Sequence, residues 1–108
     1  MPEIQIAQIQ CCMCKSHIIW TEHVAIRLRE RSIKRNDLME CVLKGQIIEQ
    51  YPDDTPYPSC LILGKCKAGE PLHVVVGLNL GVSCCMITVY RPNLDKWEKD
   101  FKTRKGAK

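Results

Sequence analysis

The chain has 108 residues, of which 45% are hydrophobic and 26% charged: enough to bury one core, too few for a second catalytic domain. No apolar run approaches the ~18 residues of a membrane span, and Met1-Pro2-Glu3 does not lead through a basic stretch into an apolar one. The expectation is a soluble, cytoplasmic protein without a secretory signal, as one domain over 1–108. Its net charge of +4 is concentrated at the end, since Arg91–Lys108 holds seven Lys/Arg against three Asp/Glu and the rest of the chain balances. Such a tail either tracks a phosphate backbone or keeps a small protein soluble.

In chain order, residues 3–14 fit a short helix on Ile6, Ile9 and Met13, although Ile4 and Ile6 also alternate like a strand. His17-Ile-Ile-Trp20 leads to Thr21, a good N-cap, and Glu22 favours the helix dipole in the first turn, so a central helix is predicted from about Glu22 to Arg31. A second helix covers about Asn36 to Lys44, with Gly45 placed where a terminal residue of positive φ belongs.

The period then changes to two. Strands are predicted at Gln46–Tyr51, Ser59–Lys65, Leu72–Leu80 and Cys84–Arg91, separated by turns at Pro52–Pro58, Lys67–Pro71 and Asn79–Gly81. After Pro92, the residues Leu94, Trp97, Glu98 and Phe101 trace a short amphipathic C-terminal helix. The prediction is therefore α+β: two or three N-terminal helices on an antiparallel sheet of about four strands, then a closing helix. Residues 1–19 read as an N-terminal extension, 20–103 as the core and 104–108 as a flexible basic tail.

Eight cysteines in a secreted chain of this size would suggest a disulfide framework, but without a signal the expectation is reduced thiols acting as small hydrophobes. The rival reading is a metal site drawn from Cys11, Cys12, Cys14 and His17, which would need a further ligand from elsewhere in the fold.

Chemistry concentrates in Trp20–Arg31. His23, Arg27 and Arg31 recur every four residues on one helix face, beside an apolar stripe of Trp20, Val24 and Leu28. On Leu72–Leu80, His73 shares its face with Val75, Gly77 and Asn79, which puts it on the open side of the sheet. Strict alternation in the last strand groups Cys85, Ile87, Val89 and Arg91 against Met86, Thr88 and Tyr90. Tyr90 and Arg91 can then share a cleft only where that strand bends or ends.

Several motifs together carry a resemblance. Trp20-Thr-Glu-His23 with Arg27, Arg31 and Ile33, the run from Tyr51-Pro-Asp-Asp to Gly64, Pro71-Leu-His-Val-Val-Val76, Ile87-Thr-Val-Tyr-Arg-Pro92 and Lys96-Trp-Glu resemble an uncharacterised bacterial and archaeal family of small domains of unknown function. The match covers about Trp20 to Arg104 and brings no established activity. Where family members usually read Gly-Ile-Ser ahead of the second helix, this chain has Ser32-Ile-Lys34, so that helix lacks its N-cap serine and is expected to start late. The layout is similar to that of the BrnT and RelE toxins, a fold group containing many metal-independent ribonucleases, which implies fold-level analogy and no more.

Under that analogy a ribose 2′-hydroxyl attacks the adjacent phosphate. His23 would be general base or acid, Arg27 and Arg31 would hold phosphate oxygens, Arg91 would stabilise the developing charge, and Tyr90 or His73 would carry the second proton. Lys102 and Arg104 would contact the RNA strand. The analogy further implies no metal or other cofactor and an antitoxin-like partner protein over the cationic face, with a homodimer left open. The structural alternative is that His23 and Glu22 fasten the helix start while Arg27 and Arg31 pair with Glu30, Asp53 or Asp54. Trp97 and Phe101, likewise, either stack bases or dock on the core. On this alternative the molecule is a non-catalytic interaction domain that binds a partner protein or nucleic acid through its basic face.

Overall fold

The helix predicted from the Trp20–Arg31 stripe spans Glu22–Glu30 and is the second of three. The computed structural model describes residues 3–66, 69–79 and 82–105. Its elements are α1 (Ile6–Cys14), β1 (Ile18–Trp20), α2 (Glu22–Glu30), α3 (Arg35–Lys44), β2 (Gln46–Tyr51), β3 (Ser59–Lys65), β4 (Pro71–Asn79) and β5 (Ser83–Tyr90). The fold is α+β, with one sheet in the order β1-β5-β4-β3-β2. Parts of the turns predicted at Lys67–Pro71 and Asn79–Gly81, and residues 106–108, lie outside the described residues. No helix among the described residues is long and apolar enough to cross a membrane.

Thr21 caps α2 as its sequence context predicts. Its Oγ1 accepts from Val24 N at 3.0 Å and donates to Met86 O at 2.8 Å, which ties the helix start to β5. Val24 and Leu28 of α2, Leu38, Cys41 and Val42 of α3, and Ile9, Cys12 and Met13 of α1 are buried on one side of the sheet. They meet Ile62 from β3, Leu72, Val74, Val76 and Leu78 from β4, and Cys84, Met86 and Val89 from β5. α1 therefore belongs to the same core as the rest of the chain. The segment before it is held by the Gln50 side chain, which accepts from Ile4 N at 3.1 Å and donates to Ile4 O at 2.9 Å, as a neighbouring strand would.

The sequence-based expectation differs from the structure at four places, each with a physical cause. The sheet has a fifth strand, β1, running parallel to β5 at its edge (Ile18↔Cys84, Ile19↔Cys85, Trp20↔Met86). Three residues are too few to display a period of two, so the strand exists only through its distant partner. In β5 the register shifts opposite Val75/Val76: Val75 faces Thr88 and Val76 faces Met86, leaving Ile87 as an extra residue. That bulge overturns the strict alternation, and Val89 joins Cys84 and Met86 in the core while Tyr90 stands opposite His73.

The predicted C-terminal helix does not form; residues 94–101 run through turns and end in an isolated bridge between Trp97 and Arg104. Asn93 accepts from Asp95 and Lys96 N as a helix cap would, and Trp97 N bonds to Asn93 O, but Glu98 N then bonds to Thr103 O and Lys96 O accepts from Lys105 N, so the chain folds back on itself after one turn. Gly45 has φ −88°, not a positive value. It is glycine because α3 lies close on β3: a Cβ there would strike the Cys41 carbonyl and the Ile62 side chain, and one at Gly64 would strike the Cys41 backbone. As the missing serine predicts, α3 starts at Arg35 without a side-chain N-cap; Asp37 reaches back to accept from Lys34 N at 3.2 Å.

Candidate functional site

The sheet face turned away from the helices carries the candidate site. His73 does lie on that face, as its parity predicts, but it is fully buried rather than open. The C-terminal segment covers it: Trp97, 3% exposed, sets its ring edge-on to the imidazole with centroids 4.5 Å apart. Trp97 is thus docked on the sheet and not free to stack bases.

Both imidazole nitrogens are engaged. Nε2 lies 2.7 Å from Phe101 O and Nδ1 lies 3.1 Å from Tyr90 Oη. A carbonyl oxygen only accepts, so Nε2 must carry the proton. Burial lowers the His73 pKa, against the opposing pull of the Phe101 carbonyl and of Glu49, and holds the ring neutral. Nδ1 is then a bare acceptor, and the Tyr90 hydroxyl donates to it. Burial also raises the Tyr90 pKa, so the phenol keeps its proton.

Beside this pair, Arg104 makes a two-pronged bond to Glu49, Nε to Oε2 at 2.8 Å and Nη2 to Oε1 at 2.9 Å, while its guanidinium stacks 4.7 Å from the Trp97 ring centroid. The Tyr51 hydroxyl donates to the same carboxylate at 2.5 Å. The Arg104 bond, ahead of the other contributions, holds the Glu49 carboxyl below the usual carboxylate range. Arg104 was expected to begin a flexible tail; instead it clasps β2 to the C-terminal segment. Stability should depend on pH accordingly. Unfolded His73 takes up a proton as pH falls through 6.5 while the folded form resists, so stability is full above that value and declines below it. Glu49 adds a further decline below about 4.5, as protonation of the folded carboxyl breaks its bond to Arg104. Urea midpoints measured against pH should show both ranges, with His73→Gln removing only the upper one.

A cleft of roughly 560 Å³ opens in front of Tyr90, walled by Arg31, Arg91, Lys96 and Arg104. Arg31 follows the last residue of α2, and its Nη1 donates to Val89 O at 2.6 Å. Arg91 follows the end of β5 and reaches back, Nη1 donating to Arg31 O at 2.5 Å and Nη2 to Ser32 O at 3.3 Å, with Glu70 3.4 Å from its Nε. The two arginines staple the end of α2 to the end of β5 through neutral carbonyls. Arg31 is positioned in this way without losing its charge. Because β5 ends at Tyr90, the condition for Tyr90 and Arg91 to share a cleft is met.

Of the residues singled out from the sequence, Arg31, Tyr90, Arg91 and Arg104 line this cleft and His73 backs it through Tyr90. His23, Arg27 and Lys102 do not line it. His23 is exposed in the first turn of α2, about 12 Å along the helix axis from Arg31 at 1.5 Å per residue. Arg27 pairs with Glu30 at 2.8 Å, as the structural alternative had it. Asp54 accepts from Ser59 Oγ and Thr55 N rather than from an arginine. Sequence reasoning missed Lys96, Glu49 and Tyr51; the last two sit two apart on β2, a spacing that puts both on one face.

The buried cysteines, Cys12, Cys41, Cys60, Cys66 and Cys84, behave as hydrophobes. Cys41 and Cys60 are pushed up to about 12 and Cys84 to about 11 by burial, which keeps them as inert thiols. No group of three or more His, Cys, Asp or Glu among the described residues could hold a metal, since Cys12 is buried while Cys11 and Cys14 are exposed. The metal-site reading is thereby set aside for the described residues.

Fold and cleft together define a small α+β domain with a cationic cleft where helix α2 and strand β5 end. Residues 20–91 match the family model described as Domain of unknown function (DUF4258), and the chain belongs to that family. Arg31, His73, Tyr90 and Arg91 fall within the matched residues, whereas Lys96, Trp97 and Arg104 lie beyond them. No curated protein and no solved structure matches the chain.

Proposed function

We propose that the protein is a toxin-like, metal-independent endoribonuclease, or at the least an RNA-binding domain, working through the cleft in front of Tyr90. The observation that carries this reading is the pair of guanidiniums, Arg31 and Arg91, fixed through backbone carbonyls beside a tyrosine hydroxyl. Fixed positive charge is what a phosphodiester needs as negative charge builds on its oxygens, and the carbonyl anchor of Arg31 holds its charge in place without cancelling it, whereas Arg91 also pairs with Glu70. Arg31 and Arg91 hold the non-bridging oxygens, Tyr90 contacts the reacting ribose, and Lys96 extends the contact along the strand. His23 is not required in this arrangement.

The test is incubation of the purified protein with mixed single-stranded RNA in EDTA, scoring fragments for 2′,3′-cyclic phosphate ends. Such fragments are the expected result. Salt-sensitive RNA binding without cleavage would leave a binding domain, and neither binding nor cleavage would overturn the reading. A non-catalytic interaction domain is the second reading, because two cations of the same cleft already pair with carboxylates, Arg91 with Glu70 and Arg104 with Glu49. An acidic segment of an antitoxin-like partner would suit the same groups.

A further inference from the structure

We propose that Tyr90 meets its ligand as a hydrogen-bond acceptor, its own proton being committed to His73, so that the cleft selects a phosphate carrying a neighbouring hydroxyl donor: a ribonucleotide over a deoxyribonucleotide. This rests on the phosphate-binding reading of the cleft and names its substrate class.

The polarity of the chain of bonds follows from its far end. Phe101 O can only accept, so Nε2–H of His73 points to it at 2.7 Å. Neutral His73 then has a lone pair at Nδ1, and the group 3.1 Å away is the Tyr90 hydroxyl, which must donate. His73 is fully buried, so no water competes for that lone pair. What Tyr90 offers to the cleft is therefore its oxygen lone pairs. Among groups that lie next to a phosphate, a ribose 2′-hydroxyl can donate to them and a deoxyribose carbon cannot. The same cleft is lined by the guanidiniums of Arg31, Arg91 and Arg104 and the ammonium of Lys96, which suit the phosphate and not the hydroxyl, while the Asn93 side-chain oxygen is occupied by the amides of Asp95 and Lys96. An acceptor hydroxyl beside these cations matches a ligand with a donor hydroxyl next to an anion.

The experiment titrates the protein with uridine 3′-monophosphate and with 2′-deoxyuridine 3′-monophosphate, neither of which can be cleaved, and records imidazole ¹⁵N resonances of His73 by NMR. The ribonucleotide should bind about three- to tenfold more tightly, the range of one net hydrogen bond. Tyr90→Phe should abolish that preference, bringing the two nucleotides to equal affinity. The resonances should report the Nε2–H form, with Nδ1 shifted in Tyr90→Phe. Equal binding of the two nucleotides, or an Nδ1–H form of His73, would overturn this inference and leave the phosphate cleft standing. Binding of neither would overturn the phosphate reading and this inference with it.

Discussion

Arg31→Ala is expected to lower the rate of RNA cleavage about a hundredfold, the usual loss when one fixed donor to a developing oxyanion is removed. The substitution is informative because of how the arginines are anchored. Arg91 bonds to the backbone carbonyl of residue 31, which alanine retains, so the second guanidinium keeps its place. The bond from Arg31 to Val89 O is lost, at a cost of about 1–3 kcal/mol for a charged donor, and the urea midpoint measures that part separately. Arg31→Lys should fall between, since it keeps the charge but not the planar fork. The readout is kcat/KM in EDTA; if binding proves the only activity, it is RNA affinity, with the slope against salt reduced by about one. A loss in His23→Ala equal to that in Arg31→Ala would instead move the centre to the N-terminal end of α2.

Trp97→Ala should cost about 3–5 kcal/mol of folding stability, a large part of what a domain of this size possesses. The indole is 3% exposed and lies between His73, at 4.5 Å, and the Arg104 guanidinium, at 4.7 Å. Its removal leaves a cavity over His73 and unseats Arg104, whose bond to Glu49 clasps the segment to β2. Water then reaches His73, its pKa returns towards the ordinary 6.5, and the decline of stability below that pH flattens. Trp97→Phe, which keeps an aromatic edge, should lose much less. Urea denaturation of the three proteins at neutral and mildly acidic pH measures both effects. A cost under about 1 kcal/mol for Trp97→Ala would mean that the C-terminal segment contributes little to the fold.

Where structure is settled by neighbours in the chain, the sequence was legible. β2 and β3 begin and end at the residues expected, because Gly45 and the Pro52–Pro58 turn bound them locally. Thr21 and Glu22 mark the start of α2 for the same kind of reason, and the apolar stripe through Val24 and Leu28 is the face that α2 buries. The family, too, was carried by short motifs along one stretch of chain.

Local pattern misled where another part of the chain decided. The helical spacing of Leu94, Trp97, Glu98 and Phe101 is genuine, yet after one turn Glu98 N bonds to Thr103 O and Lys96 O accepts from Lys105 N, so the returning chain replaces the helix. β1 is a strand only because β5 lies alongside it. The parity of His73 told its face, but its burial is the work of Trp97 and Phe101, more than twenty residues further on. The cationic stripe His23, Arg27, Arg31 was likewise real as a stripe. Only its last member reaches the cleft, because the bulge in β5 and the end of that strand bring Tyr90 and Arg91 to the C-terminal end of α2. Residue chemistry and element order follow from short-range periodicity and capping, whereas which charges converge around one hydroxyl depends on strand register and on a segment folded back from the far end of the chain, and no local spacing encodes either.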